Sequence, residues 1–227
     1  MSVLVPAYFH PVAQEAAWRR LAARPPKTVV LNVDSGPGTT RDPDFVRVLE
    51  PLLAAGVEVL GYLDTAYGDR PIRELVVDAR RYRSWYGVGG AFLDQVAAGA
   101  DRLSHYRVAA AALRGQGRLV LNPGVYPDPG YAAVTDLLVT FEGPWTSYRA
   151  VNAPAWARLP EQFCHLVYGV PGWARRFVQR GASRLAQTIF VTSGACPNPW
   201  QNLPTYYERL PLPRNDNAAP GRRSKGE

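Results

Sequence analysis

Lysine is almost missing from this chain of 227 residues: Lys27 and Lys225 are its only two, so nearly all of the 26 basic side chains are arginine. Cysteine is scarce as well. Cys164 and Cys196 are too few for a disulfide framework, and without a CxxC pair they give no hint of zinc. The three histidines, His10, His105 and His165, form neither HxH nor HExxH, so no metal and no other cofactor is expected. There is no Walker sequence, no GxGxxG and no GxSxG, which removes phosphate-loop and serine-hydrolase chemistries. No apolar run reaches the roughly 18 residues of a spanning helix, and no membrane partner is expected. The stretch from Met1 to His10 lacks a basic n-region and meets Pro6 early, unlike a signal peptide. A cytoplasmic location is the default expectation, with export by another route or a misassigned start as the alternatives.

What is present is globular. Hydrophobic residues make up 47% and charged residues 20%, with six Trp and twelve Tyr, which suits one domain with a substantial core. The formal charge is +7. Part of it lies beyond Pro211, in Arg214, Arg222, Arg223 and Lys225, where a Pro- and Arg-rich tail over 211–227 is expected. The rest is spread out, without the stripe of a nucleic-acid face, so no nucleic-acid partner is expected, and the chain is expected to be a monomer.

Over 1–210, short apolar runs alternate with amphipathic stretches. Strands are expected at Val3–Tyr8, Thr28–Val33, Val57–Leu63, Gly90–Asp94, Arg118–Asn122, Leu137–Glu142, Phe163–Tyr168 and Thr188–Thr192. Helices are expected at Val12–Ala23, Pro43–Ala55, Ile72–Trp85, Asp101–Arg114 and Pro171–Arg180. The strand ends recur about every 20–32 residues, one βα unit each, and eight right-handed crossovers close a compact (β/α)8 TIM-type barrel. An open doubly wound sheet is the competing architecture.

Polar residues gather where these strands stop: Tyr8 and His10, Asn32, Tyr62 and Asp64, Asp94 and Gln95, Asn122, Glu142, Tyr168. In a barrel all these ends share the rim that carries enzyme sites. Asp94 and Glu142 each end an apolar strand, and two carboxyl groups held by rigid backbone at one rim are what glycoside hydrolysis requires. Taken singly, Asp94 could cap the next helix and Glu142 could pair with an arginine. Tyr8, Tyr62, Tyr67, Trp145, Tyr168 and Trp200 lie at or beyond strand ends, where flat rings with polar tips could stack on sugars. Trp18, Trp85, Trp156 and Trp173 fall in helical stretches and are assigned to packing, and Cys164, inside a strand, to inert core.

Several segments together resemble the spherulin-4-like (spherulation-specific family 4) glycoside hydrolases. They include Val5-Pro-Ala-Tyr8, Asn32-Val-Asp-Ser-Gly-Pro-Gly38, Gly61-Tyr-Leu-Asp-Thr-Ala-Tyr67 and Gly90-Ala-Phe-Leu-Asp94. Leu121-Asn-Pro-Gly124, Phe141-Glu142 and Asn198-Pro-Trp200 continue the series. The resemblance implies a metal-independent, retaining (β/α)8 endo-hydrolase of α-1,4-linked galactosamine or N-acetylgalactosamine polymers such as galactosaminogalactan. It further implies Asp94 as nucleophile and Glu142 as acid/base, with Tyr8, His10, Asn32, Tyr62, Asp64, Tyr67, Gln95, Asn122, Trp145 and Tyr168 expected to bind substrate. The family pattern has a second acid directly after that Asp, where this chain has Gln95. Strand alternation would turn position 95 away from the reacting carbon, and loss of a neighbouring charge would lower the pKa of Asp94. Two other readings stand beside the hydrolase: a barrel that binds glycan without cleaving it, and an enzyme for a different amino-sugar polymer.

Overall fold

The structure, a computed structural model, describes residues 1–115 and 117–213. The tail expected over 211–227 lies outside the described residues from 214 onward.

Eight strands run parallel in chain order: β1 (Leu4–Ala7), β2 (Thr28–Leu31), β3 (Glu58–Asp64), β4 (Gly90–Asp94), β5 (Arg118–Leu121), β6 (Leu137–Pro144), β7 (Phe163–Tyr168) and β8 (Thr188–Val191). Ser2 closes the ring against β8. Its N–H donates to the Gln187 carbonyl at 2.8 Å, and its own carbonyl accepts the Ile189 N–H at 3.0 Å. The architecture is therefore the (β/α)8 barrel and not the open sheet.

The outer layer is α1 (Glu15–Ala23), α2 (Pro43–Ala54), α3 (Ile72–Tyr86), α4 (Leu103–Leu113), α5 (Trp145–Tyr148) and α6 (Arg175–Ala182). It is thin on one side: β5 and β6 are joined through a single 3-10 turn at Pro129–Ala133, and α5 is one turn long. α2 starts as its sequence dictates, with the Asp42 carboxylate accepting the Asp44 N–H at 2.8 Å and Pro43 in the first helical position.

Because strand residues alternate between faces, the side chains two positions before Tyr62, Asp94 and Asn122 fill the barrel beneath the rim; these are Leu60, Phe92 and Val120, all fully buried. The opposite face of β3 meets α3 at Gly61. A methyl group there would lie 2.4 Å from the Tyr82 ring, which is pinned by its hydroxyl donating to the Leu31 carbonyl at 2.9 Å. Gly61→Ala should therefore destabilise the fold by about 1–3 kcal/mol, read as a lower urea midpoint at unchanged slope.

β6 carries the irregularity that matters for chemistry. Its register against β7 shifts between Val139 and Phe141, so that Val139 pairs with Cys164 and Glu142 with Leu166. Cys164, Leu166 and Tyr168 share one face of β7. Val139 and Glu142, three residues apart, thus point the same way, which regular alternation forbids; Thr140 is the extra residue of a β-bulge. Thr140 and Phe141 both turn outward, Thr140 sharing a hydrogen bond with His165 Nε2 at 3.1 Å and Phe141 packing on Tyr148 with ring centres 4.8 Å apart. The bulge aims Glu142 into the barrel mouth.

Candidate active site

Asp94 at the end of β4 and Glu142 on β6 meet across one amide. Asn122 Nδ2 donates to Asp94 Oδ1 at 2.6 Å and to Glu142 Oε2 at 2.5 Å. The two acceptor oxygens are thus at most about 5 Å apart, the two bonds laid end to end, which is the range of a nucleophile and acid/base pair. The Asn122 amide has no freedom to flip, because its Oδ1 accepts the Gly124 N–H at 3.0 Å. The same turn fixes Glu142, whose backbone N–H donates to the Gly124 carbonyl at 2.9 Å. From the far side, Trp200 Nε1 donates to Glu142 Oε1 at 3.0 Å. Among the described residues neither acid pairs with an arginine, and Asp94 caps no helix.

Burial and proximity set the proton affinities. Glu142 is raised to about 7, first because it is withdrawn from water and next because Asp94 is beside it; the donors Asn122 and Trp200 oppose the rise. Asp94 is also raised, by burial above all. Hydrogen bonds from the Tyr62 hydroxyl, the Gln95 N–H and Asn122 pull it back down. Asp94 therefore stands above its ordinary value even with Gln95 in the place of an acid, because burial, with the charge of Asp64 added to it, outweighs the donors.

The acids open into a cleft of about 380 Å³ whose walls include Tyr67, Gln95, Asn122, Tyr168, Cys196 and Pro199. Tyr62 lies beside Asp94, whose charge adds to burial in raising the tyrosine's pKa, and Tyr8 stands edge-on to Tyr62 with ring centres 5.3 Å apart, close enough to both acids for their charges to raise its own pKa after burial has done so. Gln95 does not face away from the cleft. Its φ of 51° breaks the alternation, so its side chain turns along the rim and Nε2 donates to Asp64 Oδ2 at 3.0 Å. Asp64 also accepts the Ala66 N–H at 2.7 Å, and Tyr67, 59% exposed, projects from that loop.

Other expected residues lie elsewhere. His10 and Asn32 line a separate cavity of about 160 Å³, which Tyr8 also borders. Asn32 is occupied in a turn, accepting the Gly36 N–H at 3.1 Å. His10, Asp42 and Asp44 bring ligand-type atoms within 4.8 Å of one another, but Asp42 caps α2 and Asp44 pairs with Arg47 at 2.8 Å. Trp145 is not a wall of the acid cleft. It lines a second cavity beside α5 and α6 and meets Trp173 edge-on, ring centres 5.8 Å apart. Trp173, assigned to packing from its place in an expected helix, precedes α6 and is 79% exposed.

Trp200, expected at the rim as a ring that could stack on sugar, is instead buried and serves as a donor to an acid. It stands in the loop after β8 and contacts an acid 58 residues earlier in the chain. Its place is fixed by the Asn198-Pro-Trp200 turn, in which Asn198 Oδ1 accepts the Trp200 N–H at 3.0 Å.

The profile of the spherulation-specific family 4 matches residues 2–211. Spherulin-4 of Physarum polycephalum is 32% identical over 167 residues, which are 70% of this chain and 49% of the relative, so the chain spans about half that protein's length. Sph3 of Aspergillus clavatus, solved in complex with GalNAc, superposes with a TM-score of 0.77 at 25% identity, over 92% of this chain and 94% of that one. A mandelate racemase/muconate lactonizing enzyme-like protein from Rubrobacter xylanophilus gives a TM-score of 0.51 at 16% identity, covering 84% and 52%. That last likeness extends to the barrel alone.

Proposed function

The chain belongs to spherulation-specific family 4, and we propose that it is a retaining glycoside hydrolase of galactosamine- or N-acetylgalactosamine-containing polysaccharide. A glycan-related function follows from the family and from the barrel it shares with Sph3; the GalNAc held by Sph3 supports an amino sugar as the ligand class. The observation that carries the catalytic reading is the single Asn122 amide bonded to both acids.

In this mechanism protonated Glu142 gives its proton to the glycosidic oxygen while ionised Asp94 attacks the anomeric carbon. The C–O bond to the leaving sugar breaks and a glycosyl ester forms on Asp94. Glu142, now a carboxylate, takes a proton from water; the hydroxide attacks the anomeric carbon and releases Asp94. A Glu142 poised at about 7 holds the proton that the first step consumes. Asp64 beside the cleft adds negative charge that favours protonated amines of a partly deacetylated chain.

Incubation with partially deacetylated galactosaminogalactan and with unrelated α-glycans tests the reading. The expected result is new reducing ends from the first polymer alone, with products of retained anomeric configuration. Gln95, in the place of the family's second acid, favours the other reading of a glycan-binding barrel that does not cleave. Mass spectrometry separates the two, since a binder returns its oligosaccharide at full length.

The pH profile follows from the two carboxyl groups. Activity should fall as pH rises through about 7, where Glu142 loses its proton, and fall on the acid side as Asp94 gains one, at a pH above the ordinary aspartate value. A kcat/KM profile flat from about pH 5 to 9 would refute the pairing.

A further inference from the structure

We propose that Trp145 and Trp173 form a distal sugar platform, which holds a neutral, N-acetylated stretch of the same polymer after it leaves the acid cleft. The inference rests on the polysaccharide reading above. Trp145 opens α5 directly after β6, and Trp173 sits in the loop after β7, so both stand on the rim that carries the acids. The platform is continuous with the cleft wall. Tyr168 lines the cleft, and Trp145 Cδ1 lies 3.9 Å from where a Cβ on the next residue, Gly169, would stand.

The pair is built as a stacking surface. Half-buried Trp145 meets Trp173 at 86° with ring centres 5.8 Å apart, which braces the outer ring while Trp173 remains 79% exposed. Phe177, 67% exposed, lines the same cavity as Trp145, so the open indole belongs to an exposed apolar patch, and its flat face is the shape complement of a pyranose. This cavity, of about 380 Å³, is lined by Trp145 with Tyr148, Val151, Phe177, Val178 and Leu185, apolar walls suited to an acetamide methyl. Among the described residues its one charged lining residue is Arg149, and none is a carboxylate. A protonated amine is repelled here and a neutral acetamide is not, the reverse of the acid cleft.

The test compares a long, mostly N-acetylated α-1,4-galactosamine polymer with its tetrasaccharide, using wild type, Trp173→Ala and Trp173→Tyr. The ratio of kcat/KM for polymer to that for tetrasaccharide should fall about three- to tenfold in Trp173→Ala, through KM, and return in Trp173→Tyr. An unchanged ratio in Trp173→Ala overturns the platform while leaving the hydrolase reading intact. Should wild type cleave neither substrate, the hydrolase reading fails instead, and retardation of the protein in gels containing the polymer decides: weaker retardation of Trp173→Ala supports the platform, and equal retardation overturns it.

Discussion

Glu142→Gln is expected to slow polymer cleavage by roughly a hundred- to ten-thousandfold and, in the same molecule, to raise stability above pH 7. The loss of rate follows from removing the proton that the leaving oxygen needs. The gain in stability follows from linkage. Glu142 titrates near 4.5 in an unfolded chain and near 7 in the fold, so the native state binds its proton more tightly. That contribution is whole below pH 4.5 and is lost as pH rises through 7, up to about 3 kcal/mol in all. Glutamine cannot ionise and escapes this loss. It keeps one carbonyl oxygen for two donors, Asn122 Nδ2 and Trp200 Nε1, so one bond is given up and the net gain at pH 8 should be about 1–2 kcal/mol. Urea melts at pH 5 and pH 8 measure the difference, which should appear only at the higher pH. Asp94→Asn should likewise abolish cleavage. Wild-type rates in either variant remove the assigned role.

Asn122→Ala should lower kcat/KM by about a hundred- to thousandfold, the scale seen when a preorganised donor in an active site is removed. One amide donates to both acids, with charge assistance from ionised Asp94, and is itself locked by Gly124. Without it Asp94 loses one of the donors that restrain its rise, so the acid limb of the pH profile should move to higher pH. That shift separates positioning from mere loss of fold. A variant less stable than wild type, with its acid limb in place, would mean that Asn122 serves only packing.

The barrel was legible because buried parallel strands are continuous apolar runs; β4 and β7 occupy the residues expected of them, and every other strand lies within two residues of its expected start. The acids were legible for the same reason, each being the first carboxylate after such a run. What alternation predicts for side-chain direction failed twice, and both times the backbone was the cause. The positive φ at Gln95 brings that side chain to Asp64, and the register shift in β6 brings Glu142 inward. Neither has a residue signature, since Gln95 is not glycine and Thr140 is an ordinary strand residue. The tryptophans failed for a different reason. Pattern places a ring on an element, but the side it faces depends on packing: Trp145 turned from the cleft, Trp173 turned to solvent and Trp200 crossed the mouth to an acid.

The bulge at Thr140 lets the chain change length by one residue without disarming the barrel. Deleting that residue leaves Val139, Phe141 and Glu142 opposite Cys164, His165 and Leu166 in plain alternation, so the second acid still enters the mouth. Within this fold, a relative one residue shorter before the second carboxylate keeps the pair, whereas one that gains a further residue there without a second bulge turns that carboxylate outward.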